Sequence, residues 1–303
     1  MALDSDHVLD RRRLKRHLTF WRVGAIVLLV ALIVAVVGRL QGWTDGGYIA
    51  RFTVARLIVD DPDRDKALAI IAEDDDAKAL IVRIDSPGGT VVGGEALYLS
   101  LRRVAGNKPV VAVMGQVAAS AAYMTALGAD RVVARSGSLT GSIGVLLQTA
   151  DITGLLEKIG VKPETIKSGP LKAQPNPLEP FTPEAREATR AVVGDVFEMF
   201  VDMVAERRNL PRDEVVKLAD GRIFTGRQAI ANGLIDALGG EPEARQWLAE
   251  KPDIPATLPV KDVRIERDDG AWRELIGETI GKTLVSELLR LDGLISVWHP
   301  EAW

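Results

Sequence analysis

The chain of 303 residues contains no cysteine and only three histidines, His7, His17 and His299, all close to its ends. Without cysteine there can be no disulfide, no thiolate nucleophile and no Cys-ligated zinc. Without histidine in the central chain, neither an imidazole-built zinc site nor a Ser-His pair can form there, so chemistry in the middle must use another base. Aromatic residues are sparse, at 5%. Positive charge is not in excess either: the formal net charge is −4. Phosphate binding needs a concentrated basic face, so nucleic acid is not expected as a partner. What remains, 47% hydrophobic and 26% charged residues with 28 glycines, describes a folded α/β chain of roughly two domains' length.

One long apolar run stands out. Val23 to Val37 is interrupted only by Gly24. With its flanks, Phe20 to Leu40, it reaches about 21 residues, enough to cross ~30 Å of hydrocarbon. Arg22 and Arg39 sit where their stems can snorkel to the headgroups, and Trp21, Trp43 and Tyr48 where interfacial aromatics lie. The run lacks the polar face of a soluble helix, and Ile33-Val34-Ala35 makes a poor signal-cleavage site. Upstream, Arg11, Arg12, Arg13, Lys15 and Arg16 form a basic cluster. The expectation is a basic cytoplasmic segment over 1–19, a transmembrane helix over 20–40 and a linker over 41–47. By the positive-inside rule the remaining chain lies outside the cytoplasm.

From Tyr48 onward short apolar runs alternate with helical stretches. The pattern predicts strands at 48–54, 79–84, 109–114 and 131–134, and helices at 63–73, 91–104 and 118–128. Such alternation implies βαβ units and a largely parallel sheet. Ligands in such sheets bind beyond the carboxyl ends of the strands, where the loops carry unusual residues. Asp85-Ser86-Pro87-Gly88-Gly89-Thr90 follows a buried strand and reads as a strand-to-helix turn whose freed N–H groups can face an anion. Gln116 to Tyr123 places Ser120 at the start of a helix of small residues, either an ordinary N-cap or an approachable hydroxyl beside helical donors. Arg135 to Val145 reads as a hydroxyl-rich turn between strands. Ile166-Lys167-Ser168-Gly169-Pro170-Leu171-Lys172 leaves an expected strand for a Pro-rich stretch. A lysine there is ordinarily a solvated charge, but with no histidine near, an amine is the available base for a serine nucleophile.

Ser86-Pro-Gly-Gly, Ala118-Ala-Ser with Tyr123 three residues on, Leu139-Thr-Gly-Ser-Ile-Gly-Val and Lys167-Ser-Gly-x-x-Lys, in this order, resemble the signal peptide peptidase A family. Those proteins are membrane-anchored serine proteases with a Ser-Lys dyad on a fold like Clp protease and crotonase. Thr225 to Ala229 and Gly233 to Asp236 look like the closing segment of that family. The resemblance covers about 48–240 and implies an α/β protease domain there, preceded by one transmembrane helix. It implies Ser120 as nucleophile, Lys172 as general base, the Gly89 and Ala121 amides as oxyanion donors, and Ser142 as a hydroxyl positioning the lysine. It implies no cofactor or metal. Peptide substrates follow from it, such as cleaved signal peptides or other apolar segments. So do a homo-oligomer with shared sites and a single-pass protein of the cytoplasmic membrane, with a periplasmic catalytic domain.

Two departures from the family pattern stand out. Ala121 and Ala122 replace its Gly-Gly, which keeps the amides but adds methyl groups, and Ala173 and Gln174 follow Lys172 where an acidic residue is common. A crotonase-like acyl-CoA enzyme and a non-catalytic membrane scaffold are the alternative readings. Downstream, Thr182-Pro183-Glu184 opens a long helix to Arg208 with a wide apolar stripe. Residues 241–303 form an extension of unknown role. In it, Ile276 to Ile295 carry apolar residues at helical spacing, suited to the core, a second subunit or a membrane surface.

Overall fold

The computed structural model describes residues 18–34, 47–265 and 295–297. The chain divides between Gly46 and Gly47 into two compact units. In the first, residues 18–34 form a helix, α1, whose apolar side chains, Phe20, Trp21, Ile26 and Leu28 among them, are exposed. No helix among the described residues is long and apolar enough to cross a membrane. The remainder of the expected span, 35–40, lies outside them.

The second unit is built on one sheet. Its strands are β1 (Tyr48–Ile58), β2 (Ala77–Thr90), β3 (Val110–Ala119), β4 (Arg131–Ala134), β5 (Leu139–Gly141), β6 (Ile223–Thr225), β7 (Ala237–Leu238), β8 (Val260–Asp262) and β9 (Ile295–Val297). The order β6-β5-β3-β2-β1-β8 forms the main path, with β4 and β7 branching from β3 and β9 lying on β2. Pairing is parallel except for β5 with β6 and β2 with β9. The helices are α2 (Pro62–Glu73), α3 (Val91–Ala105), α4 (Ala121–Ala126), α5 (Thr153–Lys158), α6 (Pro183–Arg208), α7 (Arg212–Leu218), α8 (Gly226–Ala231) and α9 (Glu241–Ala249).

The central strands read as unbroken apolar runs because both faces are covered. Leu80, Val82 and Ile84 point into a large core that also takes Leu97, Leu101, Tyr123, Phe200 and Val204. Ala79 and Ile81 point the other way, into a smaller core with Ala244, Leu248, Ile254 and Leu258. The period of two delivers successive residues to opposite faces. The sheet therefore runs on past the expected boundary at 240, since α9 covers its second face and β8 pairs with β1.

Several boundaries differ from expectation for stated reasons. β2 does not turn at Pro87; its last residues pair with the end of β1, Leu57 with Gly88 and Ile58 with Gly89. The approach is so close that a Cβ on Gly89 would lie 1.8 Å from the Ile58 carbonyl oxygen, so only glycine fits. β3 continues to Ala119, which shortens the expected helix 118–128 to α4. The strand expected before Lys167 is absent: residues 159–167 contain no helix or strand. Ile295, expected within a helical stripe, belongs to β9, and residues 266–294 lie outside the described ones. The long helix is α6 as anticipated, its Thr182 hydroxyl accepting the Ala185 N–H at 3.1 Å. Only the carboxyl-terminal half of its stripe is buried, at Phe200, Val201 and Val204, while Val192 is 53% exposed.

The closing segment ties these layers together. The Tyr123 hydroxyl, buried under α6, donates to the Leu234 carbonyl at 2.9 Å, and Asp236 accepts from the Val132 N–H at 2.7 Å and from Arg208. Burial pushes the Tyr123 phenol well above its ordinary pKa, so it stays a donor. Tyr123→Phe leaves the Leu234 carbonyl buried without that partner. A loss of about 1–3 kcal/mol is expected, read as a lower denaturation midpoint with an unchanged m-value.

Candidate active site

The sheet forks beside the site. β3 runs with β2 in register from Leu80–Val110 to Ile84–Met114, and then the register shifts so that Ser86 faces Ala118. The extra residues on β3 free two amides, and the Asp85 carboxylate accepts both, Gln116 N–H at 3.2 Å and Val117 N–H at 3.1 Å. Gly115 permits this, since a Cβ there would lie 2.9 Å from the Asp85 carboxyl carbon. Before the fork β3 pairs with β4, and beyond it with β5. Hydroxyls lock the second half: Ser138 donates to the Gly115 carbonyl at 2.6 Å and Thr140 to the Ala118 carbonyl at 2.7 Å.

Ser120 is the first residue past β3 and the N-cap of α4, with φ 59° and ψ −122°. This backbone conformation is one that glycine adopts easily and other residues only under constraint. The constraint is visible: the Ser120 N–H donates to the Gly141 carbonyl at 2.8 Å and its carbonyl accepts the Met124 N–H at 2.9 Å. Ser120 is 1% exposed. Ala121 follows as the first helical residue, so no helical carbonyl is positioned to take its N–H. The last β2–β3 pair is Ser86 with Ala118, two residues before Ser120 on the one chain segment and three before Gly89 on the other. Ser142, one residue past β5, has φ 49° and is held by its own N–H to the Arg222 carbonyl at 2.8 Å.

Four of the five residues singled out from sequence, Gly89, Ser120, Ala121 and Ser142, are buried at or just past the ends of β2, β3 and β5. The fifth does not join them in the interior. Lys172 is exposed on a turn within residues 144–182, a segment poor in regular structure, and its N–H donates to the Gly169 carbonyl at 3.2 Å. The same segment exposes Leu155, Ile159, Val161 and Ile166. The methyl groups of Ala121 and Ala122 are fully buried, and Ala121 packs toward α3, where a Cβ on Gly94 would come within 3.0 Å of its own. The interior has made room for alanine by using glycine on the facing helix. Asp85 and Thr140 stand in the quoted motifs, which gave neither a supporting role, and Gly94 was missed; the Gly93-Gly94 pair at the start of α3 was the available signal for it. Among the described residues no cluster of acidic or histidine side chains suited to a metal ion occurs.

Fold and site together place the chain among α/β proteins of the Clp protease kind, whose family profile matches residues 62–139. The profile of peptidase family S49 matches residues 102–254. A provisionally named protease of Synechocystis sp. is 45% identical over 184 residues, covering 61% of this chain and 66% of that protein. The chloroplastic serine protease SPPA of Arabidopsis thaliana is 36% identical over 222 residues, covering 72% of this chain and 32% of that protein. A provisionally named protease of Methanocaldococcus jannaschii is 35% identical over 224 residues, covering 73% and 72% respectively. The chain belongs to peptidase family S49, that of signal peptide peptidase A. It spans just under two thirds of the cyanobacterial relative and about a third of the plant one.

Strain at position 120 is measurable apart from any activity. Ser120→Ala and Ser120→Gly both remove the hydroxyl, but only glycine relaxes the backbone. The glycine variant is expected to be more stable than the alanine variant by about 1 kcal/mol, read from chemical denaturation. Equal midpoints would mean that the backbone is not held as described.

Proposed function

We propose that this chain is a membrane-anchored serine endopeptidase with a Ser120–Lys172 dyad. The observation carrying this reading is the serine itself: buried at a strand–helix junction, in a strained backbone, beside the first amide of a helix. Such a position fixes the nucleophile and its donors before substrate arrives.

Lys172 takes the Ser120 proton as Oγ attacks the scissile carbonyl. The Ala121 and Gly89 N–H groups stabilise the oxyanion, an effect of about 3–4 kcal/mol for one such donor. Lys172 then gives its proton to the leaving amine, and water releases the acyl-enzyme. Ser142 orients the amine. The end of β2 supports an extended peptide as substrate: at Gly88–Thr90 it takes β9 as an antiparallel strand, and a substrate would take that place. The substrates are cleaved signal peptides or other apolar segments. The apolar run 20–40 behind a basic cluster supports an anchor with its amino terminus in the cytoplasm and the catalytic unit periplasmic.

A general-base lysine has to lose its charge, which an exposed amine resists. In the single chain Lys172 is exposed while Ser120 is buried, and apolar side chains around Lys172 are exposed as well. A neighbouring copy would desolvate this segment, so the active form is a homo-oligomer whose sites draw serine and lysine from different subunits.

A serine-directed acylating probe is expected to label wild-type protein, to lose Ser120→Ala entirely, and to label Lys172→Ala at least a hundredfold more slowly, as loss of the base implies. Full labelling of Lys172→Ala would remove the dyad. Mixing the two inactive variants is expected to restore peptidase activity in part; no recovery in co-assembled subunits would remove the shared site.

A further inference from the structure

The two lysines of the Lys167–Lys172 motif have opposite surroundings. Lys167 has a side chain only 14% exposed, and its ammonium is paired with the Glu179 carboxylate. Lysines are seldom this buried unless paired. Lys172 is exposed. The same Glu179 oxygen accepts the Gln174 side-chain N–H at 2.7 Å. One carboxylate therefore holds both ends of the loop that carries Lys172, from Lys167 on one side and Gln174 on the other.

Beyond these contacts the Asn176 side-chain N–H donates to the Ala173 carbonyl at 2.8 Å, from just past the loop. The loop contains no helix or strand, and its internal backbone bonds are the long contacts from Lys172 N–H to Gly169 and from Gln174 N–H to Leu171, both 3.2 Å. Ala173, next to the lysine, has φ 60°, so the turn needs an external restraint to persist. The Gln174 amide orientation that reaches Glu179 leaves its own carbonyl oxygen buried with no hydrogen-bond partner among the described residues. Leaving an acceptor unpaired is unfavourable, which argues that the contact with Glu179 dominates the choice. Glu179 is held below the ordinary carboxylate range by Lys167 foremost, with Thr165 and Gln174 adding to it, so it is anionic at neutral pH.

We propose that Glu179 is a positioning residue for catalysis, its carboxylate closing the Lys167–Gln174 loop and so setting where the Lys172 amine stands. This rests on the reading of Lys172 as general base. It also accounts for a chain with Ala173 and Gln174 after the lysine instead of an acidic residue: the carboxylate arrives from Glu179, through Gln174.

The test uses the full chain in detergent micelles, with the rate of Ser120 acylation and peptide kcat and KM as readouts. Glu179→Ala and Lys167→Met are each expected to slow acylation and lower kcat by about tenfold or more, as misplacement of a catalytic group does, with KM and assembly mass unchanged. The double variant should be no slower than either single one, and Glu179→Gln, which keeps an acceptor for Lys167, should recover part of the rate. Wild-type rates in Glu179→Ala and Lys167→Met, with acylation lost in Lys172→Ala, would overturn the positioning role and leave the dyad intact. Dissociation of the assembly in both variants would also overturn it, by assigning Glu179 to subunit contact. Wild-type acylation in Lys172→Ala would remove the dyad and this role with it.

Discussion

A single backbone hydrogen bond, Ser120 N–H to the Gly141 carbonyl, fixes the arrangement on which the site depends. It joins the end of β3 to the end of β5 at the point where a serine is held in a glycine-like conformation. That bond requires β5 to pair with the second half of β3 and not with the first. The requirement is met by the fork, where Asp85 absorbs the two amides that the register shift releases. Unpaired, those amides would be a liability at a partly buried position. With them satisfied, the strand can change neighbours from β4 to β5 without breaking, and the serine inherits a rigid mount on both sides.

This economy explains what sequence reading captured. β4 at 131–134 and α6 at 183–208 were legible to the residue, because a short apolar run between turn residues and a Thr-Pro-Glu helix start are local signals. The second halves of β2 and β3 were not. Pro-Gly-Gly and a string of alanines resemble a turn and a helix when only neighbours in sequence are considered. Their strand character comes from long-range partners: Ile58 pressed against Gly89, and Leu139 to Gly141 beside Val117 to Ala119. Gly89 is needed for close approach, and Gly88 for its φ of 114° within the strand. The resemblance fixes only the order of Gly89, Ser120, Ala121 and Ser142 along the chain, and the parallel pairing of β2, β3 and β5 carries the strand ends beside them to one side of the sheet.

Lys172 marks where such reading stops. Its match to the family's lysine follows from the resemblance, but its environment depends on groups distant in sequence. Lys167 and Lys172 look alike in the sequence, and only the packing of Glu179 against the first separates a structural ammonium from an exposed one. The Ala121-Ala122 departure was opaque for the same reason. Whether two methyl groups obstruct a site or fill an interior depends on the facing helix, and Gly94 decides it in favour of the interior.

On the proposed Ser120–Lys172 reading, the chain separates two tasks that such a mechanism sets against each other. A nucleophile and its oxyanion donors work best when rigid and buried, which the doubly covered sheet provides. A lysine base needs to be dry during catalysis, yet burying an unpaired ammonium in the folding monomer would be strongly unfavourable. Lys172 stands on an exposed segment outside the core, where that cost does not arise. Under the proposed shared site, desolvation would wait until apolar surface such as Leu155, Ile159 and Ile166 is covered. On that proposal, coupling the base to assembly would also keep an isolated subunit inert, because the buried serine half would be complete while the lysine half is still exposed.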